Sequence, residues 1–445
     1  MKLKKLIQRV MIISLLIGNF SAAAVTAEES IHSTNNWNGQ SPYAAMTKPE
    51  IKWSVDLKGQ IIEIVIDSKG VLYVITDGYP SANLWAVEAN GKIKWSKDLP
   101  ANSVTGLTLF NDQYLIVAGN IGTSSSTGIS KDDPNKVVSD NPDAIISKYT
   151  TQGELVWEQI FEETTLTRVS GKIAVDDDGM VAFAGSFTSV VPGYKSVSDM
   201  IHIREETKLI AISPNGETIF NITLDTSPKG QEPLSNSAPT FIKGSIYLTT
   251  SKGYMKPISK TSSMGVFDTS TLHSISKMGE KKFSTTFSGQ NISAPVYDNN
   301  ILYVIGDKSL YYYNTDGKLI KELLSKRQIN YWTPPVISSQ GYLVFGRQVF
   351  SPSGKLLWHF DPNTKSYETN LVSLNNLVID KNQNLIMAYM VGYTSTNSGV
   401  IAKDLKTGQT IWRIPLYHLL NTSPTIGKDG TIYIGGTKLF AIGQK

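Results

Sequence analysis

Leu84-Trp85-Ala86-Val87-Glu88-Ala89-Asn90-Gly91-Lys92-Ile93-Lys94-Trp95-Ser96 is the stretch that decides the fold. It reads strand, tight turn, strand. The Asn-Gly pair supplies the positive φ that a two-residue hairpin turn needs. The spacing then recurs. A glycine stands four residues before an aromatic at Gly153–Trp157, Gly216–Phe220, Gly279–Phe283, Gly354–Trp358 and Gly408–Trp412. Gly317–Lys321 keeps the spacing without the aromatic, and Ile51-Lys52-Trp53 keeps the aromatic without the glycine. A unit repeated at this period means an array of one supersecondary piece.

Working outward from the hairpin, a second frame lies upstream of it. Gly70-Val71-Leu72-Tyr73-Val74, Gly179-Met180-Val181-Ala182-Phe183, Gly244-Ser245-Ile246-Tyr247-Leu248, Gly341-Tyr342-Leu343-Val344-Phe345 and Gly430-Thr431-Ile432-Tyr433-Ile434 are copies of one strand. Tyr114–Val117, Asn300–Val304 and Asn384–Met387 are variants of it. These runs are apolar on both faces, as strands packed between neighbouring sheets must be. Before them come Ser237-Ala238-Pro239, Ser293-Ala294-Pro295, Thr333-Pro334-Pro335 and Ser423-Pro424. Proline fits the start of a strand with a free edge.

Each unit is therefore four short antiparallel strands, A to D from the inside out. The expected fold is all-β: an eight-bladed β-propeller, with seven blades as the alternative if blade 4 or 5 is irregular. The last unit ends at its C strand, Lys438–Ile442. The orphan D strand, Ile51–Leu57, is expected to complete it and close the ring, which removes an open sheet edge. The repeated aromatics are expected to dock blade against blade.

The ends and the composition set the class. Lys2, Lys4, Lys5 and Arg9, an apolar run Val10–Ile17 and the small residues through Ala27 form an export signal, 1–27. Residues 28–48 read as a flexible lead-in with Trp37 as its one large apolar group. Residues 49–445 are one propeller domain. The run at 10–17 is too short to span a bilayer, so no stable membrane insertion is expected. There is no cysteine among the 445 residues, hence no disulfide, no thiolate site and no lipidated cysteine. The 42 basic residues exceed the 38 acidic ones only through the four in the signal. A mature chain near neutrality gives no basic field for nucleic acid. The expected location is secreted or extracellular, free or associated with the cell wall.

The strand B, hairpin and Gly-Lys-x-x-Trp pattern resembles the pyrroloquinoline-quinone-like (PQQ-like) repeat. That repeat occurs in quinoprotein dehydrogenases and in the outer-membrane assembly propeller of Gram-negative bacteria. The resemblance covers about residues 49–443. WD40 repeats are a poorer match, because no Asp follows the Trp. The resemblance implies a scaffold. In the quinoproteins it also implies PQQ held by a vicinal disulfide, a stacking Trp, a calcium ion and a catalytic Asp, and this chain cannot make the disulfide.

No motif carries chemistry. His32, His202, His273, His359 and His418 have no metal-ligand spacing. Asp176-Asp177-Asp178-Gly179 lacks the alternation of a calcium loop. It stands at the A–B turn, where Asp67, Asp298 and Asp429 stand in other blades, so a backbone-capping role is expected. The asymmetry is in loop length. The B–C connections are long in blades 2, 3 and 4, about 121–142, 188–206 and 251–270. Insertions on one face of an array often mark the binding face. The candidate binding residues there are Tyr79, Phe187, Tyr194, Tyr254, Trp332 and Tyr393. The expected function is a secreted, non-catalytic binding or scaffold propeller, acting as a monomer on an unknown protein or cell-envelope glycan without a cofactor. The alternatives are a PQQ- and calcium-dependent dehydrogenase and a polysaccharide-active enzyme, which needs paired carboxylates in the channel.

Overall fold

The computed structural model describes residues 39–444, except 79–80, 123–126, 130–136, 140–142, 162–166, 170–171, 191–202, 228–233, 260–261, 292, 326–333, 361–376 and 391–396. The expected export signal and Trp37 lie outside the described residues. Eight antiparallel sheets, each with four strands in A–B–C–D order, stand in a ring: an eight-bladed β-propeller. Blade 1 shows the plan, with Gln60–Ile66, Leu72–Asp77, Asn83–Val87 and Ile93–Asp98. In blades 3 and 4 the A strand is broken into two pieces, Thr167–Val169 with Ala174–Val175 and Leu234–Asn236 with Thr240–Ile242. All described regular structure is strand.

Blade 8 closes as the repeat count requires. Glu50–Val55 pairs antiparallel with Leu439–Gly443, with Trp53 opposite Ala441 and Val55 opposite Leu439. The first propeller strand is thus the outer strand of the last blade.

The core is divided among the seams. Eight apolar clusters occur, one for each pair of neighbouring blades. The 8–1 seam holds Ile64, Leu72, Val87, Tyr433 and Leu439, and the 3–4 seam holds Ala182, Leu209, Ile246, Leu248 and Ile275. This division explains why the B strands read apolar on both faces: each face fills a different seam.

The glycine-to-aromatic spacing now has a physical cause. Six outer-strand aromatics, Trp53, Trp95, Trp157, Phe220, Phe283 and Trp358, each lie on the hairpin glycine of the next blade. A Cβ at Gly91 would sit 2.8 Å from Trp53 Cδ2, one at Gly216 2.9 Å from Trp157 Cγ, one at Gly279 2.8 Å from Phe220 Cγ and one at Gly408 2.6 Å from Trp358 Cδ2. Only a residue without a side chain leaves room for the ring. Three of the indoles also bond across the seam. Trp53 Nε1 donates to Ala89 O at 2.8 Å, Trp157 Nε1 to Pro214 O at 2.9 Å and Trp358 Nε1 to Leu405 O at 2.9 Å. Phe283 has no such donor. Beside it, Tyr247 supplies a hydroxyl that donates to Thr315 O at 2.9 Å, two residues before Gly317, as Ala89 and Pro214 are before their glycines. Where Lys321 replaces the aromatic, its ammonium lies 5.4 Å from the Tyr312 ring centre.

Of the A–B turn aspartates, Asp67, Asp176 and Asp429 cap their own backbone, while Asp298 accepts from the Asn299 side chain. Asp176 Oδ1 accepts from Asp178 N at 3.0 Å and Met180 N at 2.8 Å, and Asp67 Oδ1 accepts from Lys69 N and Val71 N in the same way.

The lead-in needs correction over its described part. Gln40 pairs in parallel with Ile379, Ser41 N donates to Ile379 O at 2.8 Å, and Ile379 N donates to Gly39 O at 2.9 Å. Ala45 is buried and joins Tyr43 in the 7–8 seam. From Gly39 on, the segment covers the free edge of blade 7's inner strand, satisfying backbone groups that would otherwise be orphaned.

Candidate functional site

The long B–C connection of blade 4 is strand rather than loop, and that of blade 3 is strand at both of its described ends. In blade 4, Ser245–Ser259 and Ser262–Ser276 pair over fifteen residues each. The inner piece ends its pairing at Lys252 and the outer strand at Thr269. From Gly253 opposite Phe267 to Ser259 opposite Ser262 the hairpin is therefore a two-stranded ribbon with no third strand among the described residues. Seven residues of strand reach about 23 Å beyond the blade. In blade 3, Val181–Val190 pairs with Ile203–Ile212 over ten residues each. Blade 2 adds a small hairpin, Thr127–Ile129 with Val137–Ser139, between its B and C strands. Sequence reading failed on these lengths because the segments combine Ser, Thr and Lys with scattered apolar residues, which composition assigns to loops.

Of the six candidate residues, Tyr79, Tyr194, Trp332 and Tyr393 lie outside the described residues. Tyr254 stands on that ribbon, 49% exposed, directly opposite Val266 and two residues from exposed Lys256. Phe187 is a correction. It is 3% exposed, packed in the 2–3 seam with Ile116, Ile146 and Val169, with Lys208 Nζ 4.5 Å from its ring centre. Its strand runs on past the expected loop start, so the ring falls on the packed face of the sheet.

The seam beneath these hairpins holds polar groups that no spacing in the sequence reveals. Asp225 on the D strand of blade 3 (Thr218–Ser227) accepts a hydrogen bond from Thr250 Oγ1 of blade 4. Thr250 Oγ1 lies 2.9 Å from His273 Nε2, and His273 Nδ1 lies 3.0 Å from Ser284 Oγ. Burial drives His273 down to a pKa of about 4, against the pull of Asp225. Glu205, on the same seam, is pushed by burial up to about 7, opposed by the bond that Leu234 N donates to it. Such groups are brought together only by cross-strand register and ring closure, so no local spacing marks them.

In the ring's interior, Glu63 is 4% exposed and accepts from Leu107 N at 2.9 Å and from Lys172, an ion pair reaching from blade 1 to blade 3. Among the described residues no three of His, Cys, Asp and Glu gather as a metal site, and no helix is long and apolar enough to cross a membrane. The chain has no cysteine, so the vicinal disulfide of the quinoproteins cannot form in it.

Comparison with known proteins agrees with this repeat. Residues 265–443, which span blades 5 to 8 and the end of blade 4, match the family model described as outer membrane protein assembly factor BamB. Over those residues the chain is similar to that family, and its own strand pairing makes it a β-propeller. No curated protein matches the propeller's sequence. Among solved structures, it is similar to a protein of unknown function from Bacteroides caccae, at 12% identity and a TM-score of 0.34, covering 68% of this chain and 93% of that one. The WD40 propeller domain of Doa1 is 10% identical at a TM-score of 0.39, covering 77% and 93%. The full extracellular region of plexin A4 is 9% identical at 0.43, covering 90% of this propeller and 47% of that chain. At these scores the blade count rests on the propeller's own strand pairing.

Proposed function

We propose that this propeller is an exported, non-catalytic binding scaffold that engages a protein or a cell-envelope glycan through the B–C face of blades 2 to 4. One observation carries the reading. A ribbon of seven residues on one strand and six on the other rises from blade 4 with no third strand beside it among the described residues, while blade 6 crosses the same position in a two-residue turn, Gly346-Arg347. A two-stranded ribbon alone is marginal in water. Its edges and the exposed Tyr254, opposite half-buried Val266, offer backbone donors and an aromatic anchor of the kind that partner surfaces use. Blade packing does not require them. The lysine-rich leader at 1–27 supports export.

The test replaces Gly253–Phe267 by Asn-Gly. The shortened protein is expected to unfold at the same temperature and to lose retention on intact cell-envelope preparations and on captured partners. Full retention by the folded, shortened protein would refute the assignment of this face.

A further inference from the structure

The polar chain across the 3–4 seam has a direction. Asp225 accepts from the hydroxyl of Thr250, so the single Thr250 proton is committed to the carboxylate. Thr250 Oγ1 must then accept from His273, which places the imidazole proton on Nε2, 2.9 Å away. Nδ1 is left bare, and at 3.0 Å it can only accept, so Ser284 donates to it. His273 is 3% exposed and Ser284 is exposed on the outer strand of blade 4, Lys281–Ser288. The result is a solvent-facing hydroxyl whose proton points at a buried, neutral imidazole, itself held in one tautomer by a threonine and a carboxylate. Asp225 and Lys281 are the charges that act on the ring, with opposite signs.

We propose that Ser284 is a nucleophilic hydroxyl that takes acyl groups from activated esters, with His273 as its base and Thr250 and Asp225 as positioning residues. In the step, Ser284 Oγ attacks the ester carbonyl carbon while its proton passes to His273 Nδ1. The tetrahedral adduct collapses, the bond to the leaving oxygen breaks, and the leaving alkoxide takes the proton back from Nδ1. Serine is acylated, one alcohol is released, and no redox change occurs. The imidazolium formed in transit keeps its Nε2–H bond to Thr250, and through it the influence of Asp225.

The same strand carries the control. Ser288 is equally exposed and has no imidazole behind it. The folded protein is treated with p-nitrophenyl acetate, and acetylation is mapped by peptide mass spectrometry. Ser284 is expected to label at least about tenfold faster than Ser288, at the low end of what a positioned base contributes. His273→Gln is expected to reduce Ser284 to the rate of Ser288. Thr250→Val is expected to slow it severalfold and Thr250→Ser to restore it, a rescue that loss of packing alone would not produce. The wild-type rate should be level above about pH 5.5 and fall as the imidazole charges in more acidic solution. Equal labelling of the two serines, or undiminished Ser284 labelling in folded His273→Gln, overturns the proposal. If His273→Gln does not fold, the Thr250 pair decides: no change in Thr250→Val overturns it.

Discussion

Blades 4 and 6 are copies of one repeat put to different ends. Blade 6 has strands of two to four residues, Val336–Ile337, Leu343–Phe345, Gln348–Phe350 and Leu356–His359. Its seam with blade 5 is filled by Val296, Tyr303, Ile337, Phe345 and Phe350. Blade 4 has B and C strands of fifteen residues, and its seam with blade 3 includes a carboxylate, an imidazole and hydroxyls. The difference separates what makes a ring from what is added to it. The hairpin glycine, the aromatic two strands' width away and the apolar B strand suffice for the ring. Everything that varies stands at the B–C end or replaces apolar filling in a seam.

The hardest break is at closure, which both blades depend on equally. Removing Glu50–Val55 leaves Leu439–Gly443 as an open edge and uncovers the 8–1 seam. Loss of soluble, cooperatively folding protein is expected, read by yield and a denaturant melt. Excising the blade 4 ribbon should leave the melt unchanged. If the two deletions behave alike, the division between ring and addition fails.

The second test separates the seams by pH. Unfolded His273 binds its proton near its ordinary 6.5, but the folded chain accepts it only near 4. Its neutral burial therefore contributes stability that is complete above about pH 6.5 and lost as the pH falls toward 4. Glu205 acts in the other direction. Its folded pKa of about 7 exceeds the ordinary 4.5, so its stability is complete below 4.5 and lost as the pH rises to 7. Each shift is worth at most about 3 kcal/mol. Urea midpoints between pH 4.5 and 6.5 should be nearly level in the wild type, fall with rising pH in His273→Gln and rise in Glu205→Gln. A level profile in both variants would remove the linkage.

A third comparison sharpens the packing rule. Gly317 and Gly244 both have positive φ, at 80° and 73°, but an added Cβ meets Phe283 Cδ2 at 2.5 Å at the first and nothing within 4 Å at the second. Both alanine variants carry the backbone strain of about 1 kcal/mol. Gly317→Ala should cost about 2 kcal/mol more, as overpacking does. The smallest effect contrasts the seams directly. Trp358→Phe should lose about 1 kcal/mol with the bond to Leu405 O. Lys321→Leu, at the equivalent position of blade 5, should stay within about 0.5 kcal/mol.

Blade number, strand order, closure and the role of the turn aspartates were legible in the sequence, because each depends on local spacing repeated many times. A turn needs its Asn-Gly, a packed strand needs apolar side chains on both faces, and the repetition averages out exceptions such as Lys321. The candidate site was far less legible. Tyr254 was found because an insertion is visible as extra length. Phe187 was misplaced because nothing local marks where a strand stops. His273, dismissed as one of five scattered histidines, gains its meaning from Asp225, 48 residues earlier in another blade, and from register that no linear pattern encodes.

Closure also sets how the molecule carries load. Glu50 lies beside Gly443 and Val55 beside Leu439, so the chain enters and leaves the last blade at the same end of one strand pair. Tension applied between the two tails would first pull Gly39–Ser41 off Ile379 and then peel that pair bond by bond, like a zip, whereas anchoring by a single tail leaves it unstressed. A tether on one end is mechanically safe for this ring, and a tether on both is its weakest arrangement.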